Sequence, residues 1–151
     1  MTLRRVRSKG TNMGLTHVTA TVAPLEGEGT PVTDSFLVDT GAIDCLLPAS
    51  VLHRAGIKPQ RADFYELADG QLIEFPVGVA RIEFMGSLAI AKVIFGPEGS
   101  EPILGAIALE YAGFTVDPSS QTLKRLAARS LKSARRDFAA VVPAVGASAA
   151  L

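Results

Sequence analysis

The 151-residue sequence has one cysteine and no tryptophan. Because Cys45 is alone, no disulfide can form within the chain and no cysteine-rich metal site can be assembled. The two histidines, His17 and His53, have no partner at a spacing typical of metal ligands. The sequence therefore predicts no metal and no cofactor, and it does not require an oxidising compartment.

Long apolar runs are also missing. Residues 11–24, which follow an arginine-rich start, alternate between polar and apolar side chains and so differ from the hydrophobic stretch of an export signal. The alanine-rich apolar run at 138–151 is shorter than the roughly 20 residues that a membrane-spanning helix needs. We therefore expect a cytoplasmic protein with no membrane partner.

Charge is balanced overall but unevenly placed. Residues 10–123 hold 14 of the 15 acidic residues and only five of the 15 basic ones, a formal charge of −9, between two basic ends. Neither end interleaves aromatic side chains with its charges, and an acidic body repels phosphate. We expect solvated ends and no nucleic-acid partner.

The chain length predicts one folded domain. We place it at 13–126, after a basic N-terminal extension at 1–12 and before an alanine-rich tail at 127–151 that is disordered or partly helical. Met1 and Met13 both remain possible starts of the protein.

Patterns with a period near two dominate the proposed domain and predict β-strands. The predicted strands cover 15–22, 32–38, 63–68, 71–75, 77–84 and 88–95, with a last one beginning at Phe114. Asp69-Gly70 suits the positive backbone angles of a tight hairpin turn, and Met85-Gly86 marks a second hairpin. Two short helices are predicted at 48–55 and 106–112, each followed by a glycine that can end it. The sequence therefore predicts a mostly antiparallel β domain.

One acidic residue occupies an unusual place. Asp39 directly follows an apolar strand end and begins the triplet Asp39-Thr40-Gly41. A turn aspartate that bonds its own backbone is the alternative interpretation. No second Asp-Thr/Ser-Gly triplet exists, because neither Asp34-Ser nor Asp117-Pro-Ser continues with the required glycine.

Three segments together resemble the retropepsin-like (clan AA) aspartic proteases, in particular their small bacterial single-domain type. These are FLVDTGA at 36–42, LADGQ at 67–71 and ILGAIAL at 103–109, and the resemblance extends over 15–123. It implies an all-β fold, a mostly antiparallel closed barrel with one or two short helices. It also implies a flap hairpin over the active site and a homodimer in which each chain supplies one aspartate.

The resemblance assigns roles to individual residues. Asp39 is the catalytic acid or base, Thr40 hydrogen-bonds across the dimer axis beneath the two aspartates, and Gly41 lets the backbone approach the carboxylate. The substrate-binding positions lie in the flap and groove and favour apolar substrate side chains; they are Leu67, Ala68, Asp69, Gly70, Gln71, Ile73 and Ile103.

The chemistry gives a separate reason for two chains. In hydrolysis by carboxylates, one group accepts a proton from water while another donates one, and two adjacent carboxyl groups share a proton. Asp39 cannot fill both roles, so a twofold homodimer is the economical arrangement. We expect an endopeptidase acting on peptide or unfolded protein substrates.

Two residues depart from the family pattern, Asp44 and Cys45. We expect Asp44 to face solvent or cap a turn, and Cys45 to be a small buried apolar residue rather than a nucleophile. The extra acid near the catalytic position motivates an alternative function. In that alternative, the dimer is a noncatalytic module that holds an extended peptide by strand addition.

Overall fold

The computed structural model of the protein describes residues 16–127, which form nine strands and two helices. In chain order these elements are β1 (His17–Ala23), β2 (Val32–Val38), β3 (Cys45–Pro48), α1 (Ala49–Arg54), β4 (Arg61–Glu66), β5 (Leu72–Phe84), β6 (Ser87–Gly96), β7 (Ile103–Leu104), α2 (Ala106–Ala112), β8 (Phe114–Asp117) and β9 (Thr122–Arg125). The predicted N-terminal extension and nearly all of the predicted tail lie outside the described residues, and the domain limits remain a prediction.

Six strands close into a barrel in the order β1-β2-β7-β3-β6-β5, and β5 pairs back with β1. The long pairings of β1 with β2 and β5, and of β5 with β6, are antiparallel. Parallel pairing is confined to the short strands, β2 with β7 and β3 with β6. The predicted all-β fold, a mostly antiparallel closed barrel with two short helices, is confirmed for the described residues.

The barrel encloses one main apolar core. Its largest fully buried side chains come from strands and helices around the whole barrel, namely Phe36, Leu47, Leu52, Ile82, Leu104 and Phe114. Burial of such a side chain contributes about 1.5–3 kcal/mol to folding. In β2 only Phe36 and Leu37, near its C-terminal end, are buried, so the core fixes the strand just before Asp39.

The two hairpin turns differ from each other. Met85 and Gly86 both have positive φ, 49° and 71°, as a two-residue turn requires. At the other hairpin only Gly70 has a positive φ, 83°, so the predicted two-residue turn at Asp69-Gly70 is wrong. The Asp69 side chain instead accepts the N–H of Gln71 at 3.0 Å, and the tip is a wider turn closed by a bond from Leu67 N–H to the Gln71 carbonyl at 2.8 Å.

Strand β5 is a single strand of 13 residues, although separate strands at 71–75 and 77–84 were predicted on either side of Pro76. Pro76 faces Ala62 of β4, and the pairing of β5 with β6 begins only at Val77. The missing N–H of Pro76 is therefore tolerated, because no strand pairs with β5 on its other side at that point.

Candidate active site

Asp39 lies where β2 leaves the barrel. Val38 pairs in parallel with Leu104 of β7, and the N–H of Asp39 donates to the Leu104 carbonyl at 3.1 Å. The chain then turns, and the Ala42 N–H donates to the Asp39 carbonyl at 3.1 Å. Asp39 itself is half-buried, so its backbone is fixed while its side chain remains accessible to water.

The carboxylate of Asp39 is oriented by its own turn. The N–H of Gly41 donates to Oδ1 of Asp39 at 2.9 Å, and a Cβ added at Gly41 would lie 3.1 Å from that oxygen. A turn aspartate would make the same bond, so this contact alone does not separate the two interpretations. Thr40 is exposed, and its hydroxyl has no hydrogen-bond partner within residues 16–127.

The late apolar segment packs directly on the loop that follows Asp39. The N–H groups of Ala106 and Ile107 donate to the carbonyls of Ala42 and Ile43, at 2.7 and 3.2 Å. These bonds join the start of α2 to the Asp39 loop. Two of the three segments that carry the family resemblance are thus brought together in space.

Cys45 begins β3 and is fully buried, as predicted. Its Sγ accepts the Gly105 N–H at 3.5 Å. Burial raises the pKa of the thiol to about 11. The effect of desolvation is larger than that of the hydrogen bond from Gly105, which lowers the pKa. Cys45 is therefore a protonated core residue at neutral pH and not an activated nucleophile.

Asp44 does not face solvent or cap a turn, so that prediction is wrong. Its side chain is only 9% exposed, and its Oδ2 accepts a hydrogen bond from the Tyr65 hydroxyl at 2.8 Å. The ammonium group of Lys92 lies 3.4 Å from the same oxygen. A nearly enclosed carboxylate needs such partners, and these come from strands β4 and β6. Sequence reasoning missed Tyr65 and Lys92 because no local pattern links them to Asp44.

Lys92 also forms an ion pair with Asp63, which in turn accepts from Arg61. The contact with Asp63 is the main reason that the pKa of Lys92 is raised, and the contacts with Lys92 and Arg61 lower the pKa of Asp63. Burial, followed by the bond to Asp44, raises the pKa of Tyr65. The group is neutral overall, with two carboxylates and two cations.

The hairpin of β4 and β5 projects from the barrel beside this group and corresponds to the predicted flap. Tyr65 pairs with Ile73 across the hairpin, so the two share a face. Tyr65, Phe75 and Ile103 pack on a small cluster separate from the main core, made of Leu46, Val77 and Ile94. The predicted groove residue Ile103 therefore lies in one apolar cluster with the base of the flap.

The predicted tip residues are placed differently. Leu67 is half-buried, while Ala68, Asp69, Gly70 and Gln71 are exposed. Within residues 16–127 the hydrogen bonds of the tip stay inside the hairpin. The hairpin's side-chain bond to the loop after Asp39 is made by Tyr65, which precedes the tip in β4. The roles of the tip in substrate binding remain predictions.

Residues 16–127 contain neither a metal-binding cluster nor a membrane-spanning helix. No three or more His, Cys, Asp or Glu side chains are grouped so that they could hold a metal ion. None of the helices in this part of the chain has the length and apolar character needed to cross a membrane.

A closed six-stranded barrel with an accessible aspartate in a tight Asp-Thr-Gly turn and a hairpin projecting beside it defines the acid-protease class of fold. The sequence model of an aspartyl protease family in the pepsin/retropepsin-like clan matches residues 17–107, and the chain belongs to this family. The match includes the Asp39 loop and the flap, and it supports a protease-type, hydrolytic function. A comparison with curated proteins found no significant match.

Proposed function

We propose that the protein is an aspartic endopeptidase in which two copies of Asp39, one from each chain of a twofold homodimer, activate a water molecule. The observation that carries the proposal is the position of Asp39. Asp39 is half-buried at the end of a core strand, and its carboxylate is oriented by the Gly41 N–H. Family membership supports the same chemistry.

In this mechanism the ionised Asp39 of one chain accepts a proton from water as the water oxygen attacks the peptide carbonyl carbon. The protonated Asp39 of the other chain donates its proton to the carbonyl oxygen, which gives a tetrahedral diol. Proton transfer to the amide nitrogen then allows the carbon–nitrogen bond to break. The bond from Gly41 occupies Oδ1 of Asp39 and leaves Oδ2 available to water.

Two observations favour a second chain as the source of the other carboxylate. Within the chain, Asp44 is engaged by Tyr65 and Lys92, and Asp34 lies five residues before Asp39 along an extended strand, about 16 Å away. In addition, Ile43 is 67% exposed and Ile107 is 49% exposed, and a backbone bond joins them beside the Asp39 loop. Burying such apolar side chains in a twofold interface would stabilise a dimer by about 25 cal/mol per Å².

The substrate in this proposal is an extended peptide or an unfolded protein segment held under the flap. The shared apolar cluster of Tyr65, Phe75 and Ile103 favours apolar substrate side chains near the scissile bond. The alternative of a noncatalytic binding module was motivated by an extra acid near Asp39. Because Tyr65 and Lys92 engage Asp44, that motivation is weakened.

The test compares wild type with Asp39→Asn on a library of unfolded proteins from acid to neutral pH, followed by sequencing of the products. Asn has the shape of Asp but cannot act as the base, so we expect cleavage by wild type alone. The matched control is Asp34→Asn, an exposed position on the same strand, which should cleave like wild type. Circular dichroism and light scattering establish that all three preparations are folded and report their size.

Equal cleavage by wild type and Asp39→Asn would refute the proposal. If neither preparation cleaves although both are folded dimers, the binding module becomes the better explanation, and peptide capture unaffected by Asp39→Asn would support it.

A further inference from the structure

Two side chains of the projecting flap, Asp63 and Tyr65, make polar contacts to the barrel. From Val77 onward β5 pairs with β6, but residues 72–76 pair only with β4, so residues 61–76 form an arm that leaves the barrel. Within residues 16–127 Tyr65 makes polar side-chain contacts to Asp44 and Lys92, and Asp63 makes one to Lys92.

The Tyr65 side chain is held at both its polar and its apolar end. Its hydroxyl donates to Asp44, while its ring packs on the small apolar cluster and lies 6.2 Å from the ring of Phe75, centroid to centroid. The ammonium group of Lys92 lies 5.5 Å from the centroid of the Tyr65 ring. A partly buried ring with a bonded hydroxyl has a preferred placement, so Tyr65, one pair before the tip end of the arm, defines the position of the outer part of the arm.

Asp44 is a suitable anchor for that hydroxyl. It ends the loop that begins at Asp39, five residues earlier, and immediately precedes β3, and its carboxylate is nearly enclosed. A hydrogen bond to a charged acceptor is stronger than one between neutral groups. The bond therefore couples the position of the outer part of the flap to the backbone that carries Asp39.

We propose that Tyr65 is a positioning residue of the peptidase, whose hydroxyl bond to Asp44 fixes the height of the flap above Asp39. This inference rests on the proposed function and adds a determinant of substrate affinity to it. When the bond is absent, the apolar cluster still holds the ring, but the arm moves over a wider range and closes less often on the substrate. Substrate binding then weakens, while the chemistry at Asp39 is unchanged.

The central experiment uses Tyr65→Phe, which removes the hydroxyl and keeps the ring. We expect KM for a peptide that wild type cleaves to rise by about fivefold to tenfold, with kcat within about twofold, since one bond to a charged group is lost. Hydrogen exchange should increase in residues 61–76 and stay unchanged in β1, β2 and α2. The matched control is Tyr111→Phe, because Tyr111 is half-exposed and makes no side-chain hydrogen bond within residues 16–127.

A second variant separates positioning from general damage to the fold. Asp44→Asn keeps an oxygen that can accept from the Tyr65 hydroxyl, so its KM and its exchange in the arm should lie between those of wild type and Tyr65→Phe. Wild-type KM and arm exchange in Tyr65→Phe would overturn the proposal, as would an equal loss in Tyr111→Phe.

The hydrogen-exchange measurement also separates this inference from the proposed function. If wild type cleaves nothing, the proposed function fails, and unchanged exchange in the arm of Tyr65→Phe then overturns the positioning role as well. If wild type cleaves and Tyr65→Phe matches it in KM and exchange, only the positioning role is refuted.

Discussion

Gly105 lies so close to the backbone carbonyl of Asp44 that a Cβ added to Gly105 would be 2.5 Å from the carbonyl oxygen and 2.7 Å from its carbon. The carbonyl oxygen of Ile43 would lie 2.7 Å from the same Cβ. These neighbours are backbone atoms, which cannot turn aside as a flexible side chain can. The glycine before α2 therefore allows the late apolar segment to pack on the Asp39 loop.

The substitution Gly105→Ala is expected to destabilise the protein and to displace the Asp39 loop. Forcing a methyl group into a closely packed site costs about 1–3 kcal/mol, and activity should fall further because the loop moves. Urea unfolding and a peptidase assay measure the two effects. Gly99→Ala is the comparison, since no atom lies within 4 Å there and only the φ of +79° opposes a side chain. Wild-type stability in Gly105→Ala would contradict the close approach.

The buried thiol of Cys45 should be unreactive in the folded protein. With its pKa raised to about 11, about one thiol in a thousand is ionised at about pH 8, and the site is closed to solvent. Alkylation followed by mass spectrometry should label urea-unfolded protein and leave folded protein unlabelled. Thr30→Cys adds an exposed thiol as an internal reference, which should be labelled in the folded state. Rapid labelling of Cys45 itself would show that the core around it opens.

The elements with long, regular patterns were predictable from sequence. The predicted strand at 32–38 and the predicted helix at 106–112 coincide with β2 and α2. Strands β3 and β7 have four and two residues, too few to show a period, and they are held by parallel pairing with distant strands. Such pairing leaves no local signal, because it depends on how the whole barrel closes.

The candidate site was predictable to a similar extent. The position of Asp39 after a core strand follows from the sequence motifs, whereas the contact between its loop and the late apolar segment was seen only in the structure. The environment of Asp44 could not be predicted in this way. Tyr65 reaches Asp44 only through the register of β4 on β5, and Lys92 reaches it through the register of β6 on β5. A residue that departs from the family pattern was thus read as exposed, although partners from two strands surround it.

Acid should destabilise the fold partly through Asp117. Lys124, followed by the hydroxyl and N–H of Ser119, holds the pKa of the Asp117 carboxyl well below its usual range. Because this pKa is lower in the folded state, the stabilisation is complete above the unfolded value, near 4, and is lost as pH falls toward the folded pKa. Asp117→Asn should therefore be less stable than wild type near neutral pH, and the difference should shrink in acid.

Urea midpoints measured from neutral to strongly acidic pH test this expectation. The site is at the surface, so the difference is small and added salt should reduce it. A difference between wild type and Asp117→Asn that is the same at every pH would show that Asp117 acts through packing and not through its charge.

The apolar pair beside the active site should govern dimer formation. In the proposed dimer, replacing Ile43 by Lys places a charge where the interface would bury it, so we expect the dimer dissociation constant to rise about tenfold or more and activity to fall in parallel. Analytical ultracentrifugation over a range of concentrations measures the dissociation constant. Leu88→Lys, at an exposed position on β6, is the matched control. An unchanged dissociation constant in Ile43→Lys would place the interface elsewhere.

Mixing wild type with Asp39→Asn tests whether both aspartates of a dimer are needed. If chains exchange freely and only dimers with two aspartates cleave, activity per wild-type chain falls in proportion to the wild-type fraction, to about a tenth in about ninefold excess of the variant. Adding the double variant Ile43→Lys, Asp39→Asn supplies the same mass of protein with weaker pairing, so activity should fall much less. Since a peptidase complete in one chain would keep full activity in both mixtures, an undiminished rate with Asp39→Asn would rule out a shared site.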